Sequence, residues 1–217
     1  NDEKLSRVIK KYTKGLFSHA ILYVGHGSYI HSDRDGVHSG NIQRLIFENL
    51  DNVSVFRPRK KNVVKAACDF ARSQVGKEYS VRSAINAKLK TPFPLGPNRQ
   101  YCSKLVAQAY EYAGLKLVSD SNACTPQEIE KSEFLIVVSD VALEASEAEA
   151  AFATSESPIE VQTRITNEIL EAARDVFHQD IQTLSELSSA IFESPEHDLK
   201  ISKVISESGY LTLWDGD

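Results

Sequence analysis

The apolar pattern of this chain changes period near residue 140, and that change limits the folds open to it. Before it, apolar residues fall in short strand-length runs separated by glycine or proline, interleaved with helix-length stretches. After it, an Ala/Glu-rich segment leads into residues 159–192, where Ile165, Ile169, Leu170, Ala173 and Phe177 recur at the helical period. An α+β unit over 1–140 followed by a mainly helical extension over 141–217 accommodates both patterns. Charge divides at the same place. Residues 1–140 carry 21 Lys and Arg against 14 Asp and Glu; residues 141–217 carry 4 against 16. The two regions therefore have different surfaces, which suits either different tasks or mutual packing.

Within the first region the punctuation places elements. Leu5, Val8 and Ile9 predict a short helix over 3–14, ended by Gly15. His19 to Val24 reads as a buried strand closed by Gly25-His26-Gly27, with Ser28 to Ser32 as its hairpin partner. Asp33 to Gly40, polar and glycine-bearing, reads as a loop, and Asn52 to Arg57 as a third strand stopped by Pro58. A helix over 62–75 carries Val64, Cys68, Ala71 and Val75 on one stripe. Three prolines and a glycine make residues 91–98 a rigid irregular loop. A second helix, about 102–113, puts Leu105, Val106 and Ala109 on one face before Gly114. Thr125-Pro126 with Glu128 is a helix start, and Phe134 to Val138 a fourth strand. Tyr210 to Trp214 reads as an edge strand or anchoring tail.

The three cysteines, Cys68, Cys102 and Cys124, make no disulfide framework and lack zinc-site spacing. No cofactor or metal is expected. No run of about 18 apolar residues occurs, and the polar, basic opening does not read as a leader. The chain holds no methionine, not even at its first position, so the compartment stays open. The basic run Arg57 to Lys61 reads as a solvated turn rather than a nucleic-acid site.

Cys102 stands between the irregular loop and a helix start. Helix N-termini present unpaired N–H groups and the positive end of the dipole, which favour a thiolate and can hold an oxyanion. A thiolate nucleophile also needs a base. His19 opens a strand, and His31 lies twelve residues on, with the Gly-His-Gly turn near midway. A hairpin makes the two approximate neighbours, so His31 can orient His19 as a third member of a triad. Cys68 falls on an apolar stripe and reads as core; Cys124 has no histidine nearby in sequence. His26, His38, His178 and His197 read as surface residues. The Cys102 site reads as polar and partly exposed.

Ser18-His-Ala-Ile-Leu-Tyr-Val-Gly25, Gly76-Lys-Glu-Tyr79, Tyr101-Cys-Ser-Lys-Leu-Val-Ala-Gln-Ala-Tyr110 and Thr125-Pro126 together resemble the circularly permuted branch of the NlpC/P60 papain-like superfamily, in particular the YiiX/YebB-like proteins. The resemblance covers roughly residues 1–140. It implies a papain-like core, a small antiparallel sheet plus a nucleophile helix, in which the histidine precedes the cysteine. It implies Cys102 as nucleophile, His19 as base and His31 as orienting group. Tyr101 and Tyr79 are candidate substrate-binding residues. The position of His31 is often Glu in YiiX-like proteins, and a histidine there is more like the lecithin:retinol acyltransferase relatives.

The expected activity is therefore cleavage of an amide bond in a peptide, with cell-wall peptides as one candidate substrate, through an acyl-enzyme. A lipid acylhydrolase or acyltransferase working at a membrane surface is the first rival. A binding module without turnover, or a latent enzyme covered by its extension, is the second. Neither rival nor first reading involves nucleic acid.

Overall fold

The computed structural model describes residues 17–47, 53–79, 100–138 and 144–214. The expected N-terminal helix and the proline-rich loop lie outside the described residues. Strands β1 (Leu22–Gly25), β2 (Ser28–Asp33) and β3 (Gly36–Asn41) form an antiparallel sheet in the order β1-β2-β3. The loop expected over 33–40 is thus mostly a strand. Its sequence, GVHSGN, lacks the apolar alternation that marks strands, because one face carries His38 and Gly40 rather than aliphatic residues. His31 lies on the central strand of this sheet. β4 (Val55–Pro58) pairs instead with β5 (Leu135–Val138) in a separate two-stranded sheet.

Alternation on the three-stranded sheet decides what faces inward. Leu22, Val24, Ile30 and Val37 are buried on one face. Helices α1 (Val64–Ser73) and α2 (Cys102–Tyr112) pack against each other, α1 on β1 and α2 on β2. Of the predicted α1 stripe, Cys68 and Ala71 are buried beside Ala67, whereas Val64 and Val75 at the helix ends stay exposed. In α2, Leu105 and Ala109 have no exposed surface. Burying a leucine of this kind contributes about 1.5–3 kcal/mol. α3 (Pro126–Glu130) begins with the expected capping box: Glu128 N–H donates to Thr125 Oγ1 at 3.3 Å and Thr125 N–H donates to Glu128 Oε2 at 2.7 Å.

The extension is helical as its period predicts: α4 (Glu147–Thr154), α5 (Pro158–Phe177), α6 (Leu184–Glu193) and α7 (Asp198–Glu207). A second apolar cluster, including Ile169, Leu170, Ala173 and Ile201, holds α5 to α7 together. Leu211–Trp214 is a 3-10 turn, not the expected edge strand. Among the described residues no helix is long and apolar enough to cross a membrane.

Directional bonds tie the extension to the sheet. Glu78 N–H donates to Gln182 Oε1 at 2.9 Å, Arg174 pairs with Glu78 at 3.2 Å, and Asn167 donates to the Asp35 carbonyl at 2.8 Å. Gly76 stands at the junction with φ +96°, and a Cβ there would lie 2.8 Å from the Gln182 carbonyl oxygen. Gly76 N–H also donates to the Val37 carbonyl, and Val37 N–H to the Lys77 carbonyl, both at 2.8 Å. Residues 76–79 are thereby held along the outer edge of β3.

Candidate active site

Cys102 is the first residue of α2, and the preceding Tyr101, in extended backbone, provides no side-chain cap. The first turn therefore keeps N–H groups that no capping side chain consumes. The residue is 8% exposed, so the expectation of a partly exposed cysteine is corrected. The loop carrying Asn122 and Cys124 closes over this end of the helix. Ser103 Oγ donates to the Cys124 carbonyl at 2.7 Å, and Tyr101 Oη donates to the Asn122 carbonyl at 2.8 Å while accepting from Cys124 N–H at 3.2 Å.

His19 sits just ahead of β1 and keeps solvent contact. Its Nε2 lies 2.9 Å from His31 Nδ1, and the two rings meet edge to face at 5.2 Å. Its side chain also hydrogen-bonds Cys102. With Nε2 committed to His31, Nδ1 is the nitrogen left for the sulfur. Strand pairing sets Leu22 opposite Ile30, so His19 approaches His31 from beyond the paired segment.

Electrostatics favour a charged pair. Burial pushes the Cys102 thiol up, but the charge and hydrogen bond of His19, with N–H bonds from Ala20 and Ser103, outweigh it and hold the pKa below that of an ordinary cysteine. Burial pulls His19 down, but the charge and hydrogen bond of Cys102, followed by the charge of Asp33, leave it raised. Each partner is thus shifted toward its charged form by the other.

His31 is held neutral. Burial, then the charges of His38 and His19, push it down to about 3, against the opposing pull of Asp33. His31 pairs directly with His38 across β2 and β3, and their rings lie 4.3 Å apart. His38 is therefore no surface-loop residue: its side chain is 12% exposed and its Nε2 lies 2.9 Å from Asp33 Oδ1. Asp33 Oδ2 lies 3.8 Å from His31 Nε2. Sequence reading missed Asp33 and His38. The signal available was the spacing His31-x-Asp33 with His38 five residues on, across a tight turn at Arg34-Asp35. The three side chains form one cluster, their donor atoms lying within 4.8 Å of one another.

The two tyrosines part company. Tyr79 is half-buried, and burial followed by the charges of Cys102 and Asp33 pushes it up to about 12, which sets it beside the site. Tyr101 is 2% exposed with its hydroxyl spent on residues 122 and 124. It braces the start of α2 and is closed to solvent, correcting the expectation of a cleft-lining residue. Cys124 is buried, donates to the Ser103 carbonyl at 3.4 Å, and is pushed up to about 12 by burial and Glu128. Cys68 is buried and raised as well, by desolvation first.

A family model described as "Permuted papain-like amidase enzyme, YaeF/YiiX, C92 family" matches residues 2–133. No curated protein and no solved structure matches the chain.

Proposed function

Since the chain belongs to the permuted papain-like amidase family (YaeF/YiiX, C92), we propose that it is a thiol amidase in which Cys102 attacks an amide carbonyl of a peptide substrate. The observation that carries this reading is the continuous contact from Cys102 through His19 to His31, with His19 Nε2 and His31 Nδ1 2.9 Å apart. The thiolate adds to the carbonyl carbon, and the first-turn N–H groups of α2 receive the oxyanion. His19 gives its proton to the leaving amine, and the C–N bond breaks to leave a thioester on Cys102. Water then attacks the thioester, His19 taking its proton, and the acid leaves with the thiolate restored. His31, neutral and accepting at Nδ1, holds His19 in the orientation both steps need. Tyr79 forms part of the substrate wall.

A lipid acyl substrate is the second reading, favoured by a histidine rather than a carboxylate at position 31. The same thioester then forms from an ester as the C–O bond breaks and the alcohol leaves with the proton of His19, and it passes its acyl group to water or to an amine, His19 taking the acceptor's proton.

Site-resolved alkylation of the three cysteines against pH, read by mass spectrometry, tests the core of the proposal. Cys102 should react at least tenfold faster than Cys68 and Cys124 at pH 6, and lose that advantage in His19→Ala. A Cys102 that titrates near 8.5 like a free thiol would sink it. Trapped acyl-enzyme mass after incubation with peptide amides or with phospholipids then separates the two substrate classes.

A further inference from the structure

We propose that Asp33 and His38 are positioning residues that decide which nitrogen of His31 carries its proton, and through it the direction of the hydrogen bond to His19. The inference rests on the Cys102–His19 reading above and goes beyond the three residues that reading uses.

His38 lies at the far end of this set of contacts from Cys102. Both its ring nitrogens have an acceptor in reach: Nε2 lies 2.9 Å from Asp33 Oδ1, and Nδ1 lies 3.2 Å from the Ser39 carbonyl oxygen. A neutral imidazole has a single N–H. Only the imidazolium donates in both directions, so this geometry selects a His38 cation against an Asp33 carboxylate. Asp33 also accepts from Asp35 N–H at 3.0 Å, which fixes the carboxylate on the turn. Its second oxygen, Oδ2, stands 3.8 Å from His31 Nε2. Negative charge at that distance favours a proton on Nε2 and leaves the lone pair on Nδ1. That lone pair faces His19 Nε2 at 2.9 Å.

Polarity therefore passes one way, from the His38–Asp33 pair through His31 to His19 and the sulfur. Were the proton of His31 on Nδ1, two N–H groups would oppose each other across 2.9 Å. His19 would then have to turn or give up its Nε2 proton, and the imidazolium facing Cys102 would be lost. A hydroxyl or amide in place of His31 has no such dependence; a histidine accepts at Nδ1 only if something holds its proton at the far nitrogen.

The shifts agree with the geometry. Burial lowers His38, but the hydrogen bond and charge of Asp33, the Ser39 carbonyl and Asp35 leave it raised. Burial raises Asp33, but His38 and His31 leave it lowered. Other ionisable neighbours include Tyr29, whose ring meets His31 at 5.0 Å, Tyr79, Arg34 of the turn, whose charge acts on Tyr79, and Glu160 of α5, which acts on Tyr29. Helix α5 packs on β3, so the extension covers the strand that bears His38.

Two measurements on the full chain test the proposal. The first is two-bond 1H–15N correlation of the imidazoles in 15N-histidine-labelled wild type at pH 7. His31 should show the neutral form protonated at Nε2, and His38 should be protonated at both nitrogens. His31 protonated at Nδ1, or a neutral His38, overturns the proposal without any variant having to fold. The second is Cys102 alkylation by iodoacetamide at pH 6 in Asp33→Asn, Asp33→Glu, His38→Gln and His31→Leu. Asp33→Asn should slow it at least tenfold, towards the His31→Leu rate, and Asp33→Glu should recover part of the loss. His38→Gln should fall between wild type and Asp33→Asn. Wild-type rates in Asp33→Asn alongside a slow His31→Leu would make the pair merely structural and end this proposal alone. A His19→Ala protein that alkylates like wild type would end the nucleophile reading and this one together.

Discussion

His19 Nε2 and His31 Nδ1 face each other at 2.9 Å although the two residues sit outside paired register, His19 lying three residues before the first paired position of β1. The contact is thus made by side chains reaching toward each other rather than imposed by the ladder. What His31 supplies is an acceptor at the Nδ1 position, and the oxygen of an asparagine can occupy nearly the same place. His31→Asn should keep the Cys102 alkylation rate at pH 6 within about tenfold of wild type, whereas His31→Leu should lose about 100-fold, in line with the worth of positioned acid–base groups. Equal losses in both would show that the acceptor is not what His31 contributes.

The opposed shifts of Cys102 and His19 predict a flat-topped pH profile. Cys102 is held below its ordinary 9.0, so its contribution to stability is present above that value and lost as pH falls through the folded pKa. His19 is raised above 6.5, so its contribution is complete below 6.5 and lost as pH rises through the folded pKa. Between the ordinary values of 6.5 and 9.0 the unfolded chain holds its proton on Cys102 and a folded ion pair holds it on His19, so the slopes of the two groups oppose one another. Wild-type denaturant stability minus that of His19→Ala should therefore plateau over that window and decline on both sides. A difference that rises or falls steadily from pH 6.5 to 9 contradicts the ion pair.

Cys102→Ala separates chemistry from folding. The sulfur is buried, but the alanine leaves only a small cavity, and His19 can become neutral once its partner is gone. The stability change should be about 1 kcal/mol, a shift of about 2–4 °C in Tm for a chain of this size. Amide turnover should drop by at least about 1,000-fold, as expected when a nucleophile is removed. Residual turnover near the wild-type rate would place the nucleophile elsewhere.

How far the chain could be read without coordinates follows from which forces leave a mark in one dimension. Helix α2 was legible because Leu105, Val106 and Ala109 repeat at its period and Gly114, at φ +82°, ends it. The family match over residues 2–133 agrees with a resemblance carried by short motifs around His19, Cys102 and Thr125. Strand β3 was not legible, since its pairing with β2 is held by backbone bonds and its one aliphatic residue, Val37, cannot reveal a period. Missing that strand hid the contacts of His38 with Asp33 and His31, which are made across the β2–β3 turn and ladder. Tyr101 was misplaced for a related reason: adjacency to Cys102 in sequence says nothing of direction, and the extended backbone before α2 turns its ring into the core.

The docking of the extension can be weighed at a single glycine. Gly76 adopts φ +96°, where a side chain costs about 1–2 kcal/mol, and a Cβ would also stand 2.8 Å from the Gln182 carbonyl oxygen, a backbone atom that cannot swing aside. Gly114 adopts a comparable φ of +82° with nothing within 4 Å of the added atom. Gly114→Ala should therefore cost only the backbone penalty, and Gly76→Ala should cost more by about 1 kcal/mol or above, enough to separate their Tm values by about 2–4 °C. Because Glu78 N–H and the Glu78 carboxylate bond Gln182 and Arg174 two residues further on, displacement at Gly76 should also disturb Tyr79 and with it the wall beside Cys102. Gly76→Ala is then expected to raise the KM for a peptide amide while leaving the Cys102 alkylation rate at pH 6 unchanged. Equal Tm values for the two alanine variants would mean that the extension yields at this contact, and that the bonds from Gln182 and Arg174 do not fix the loop.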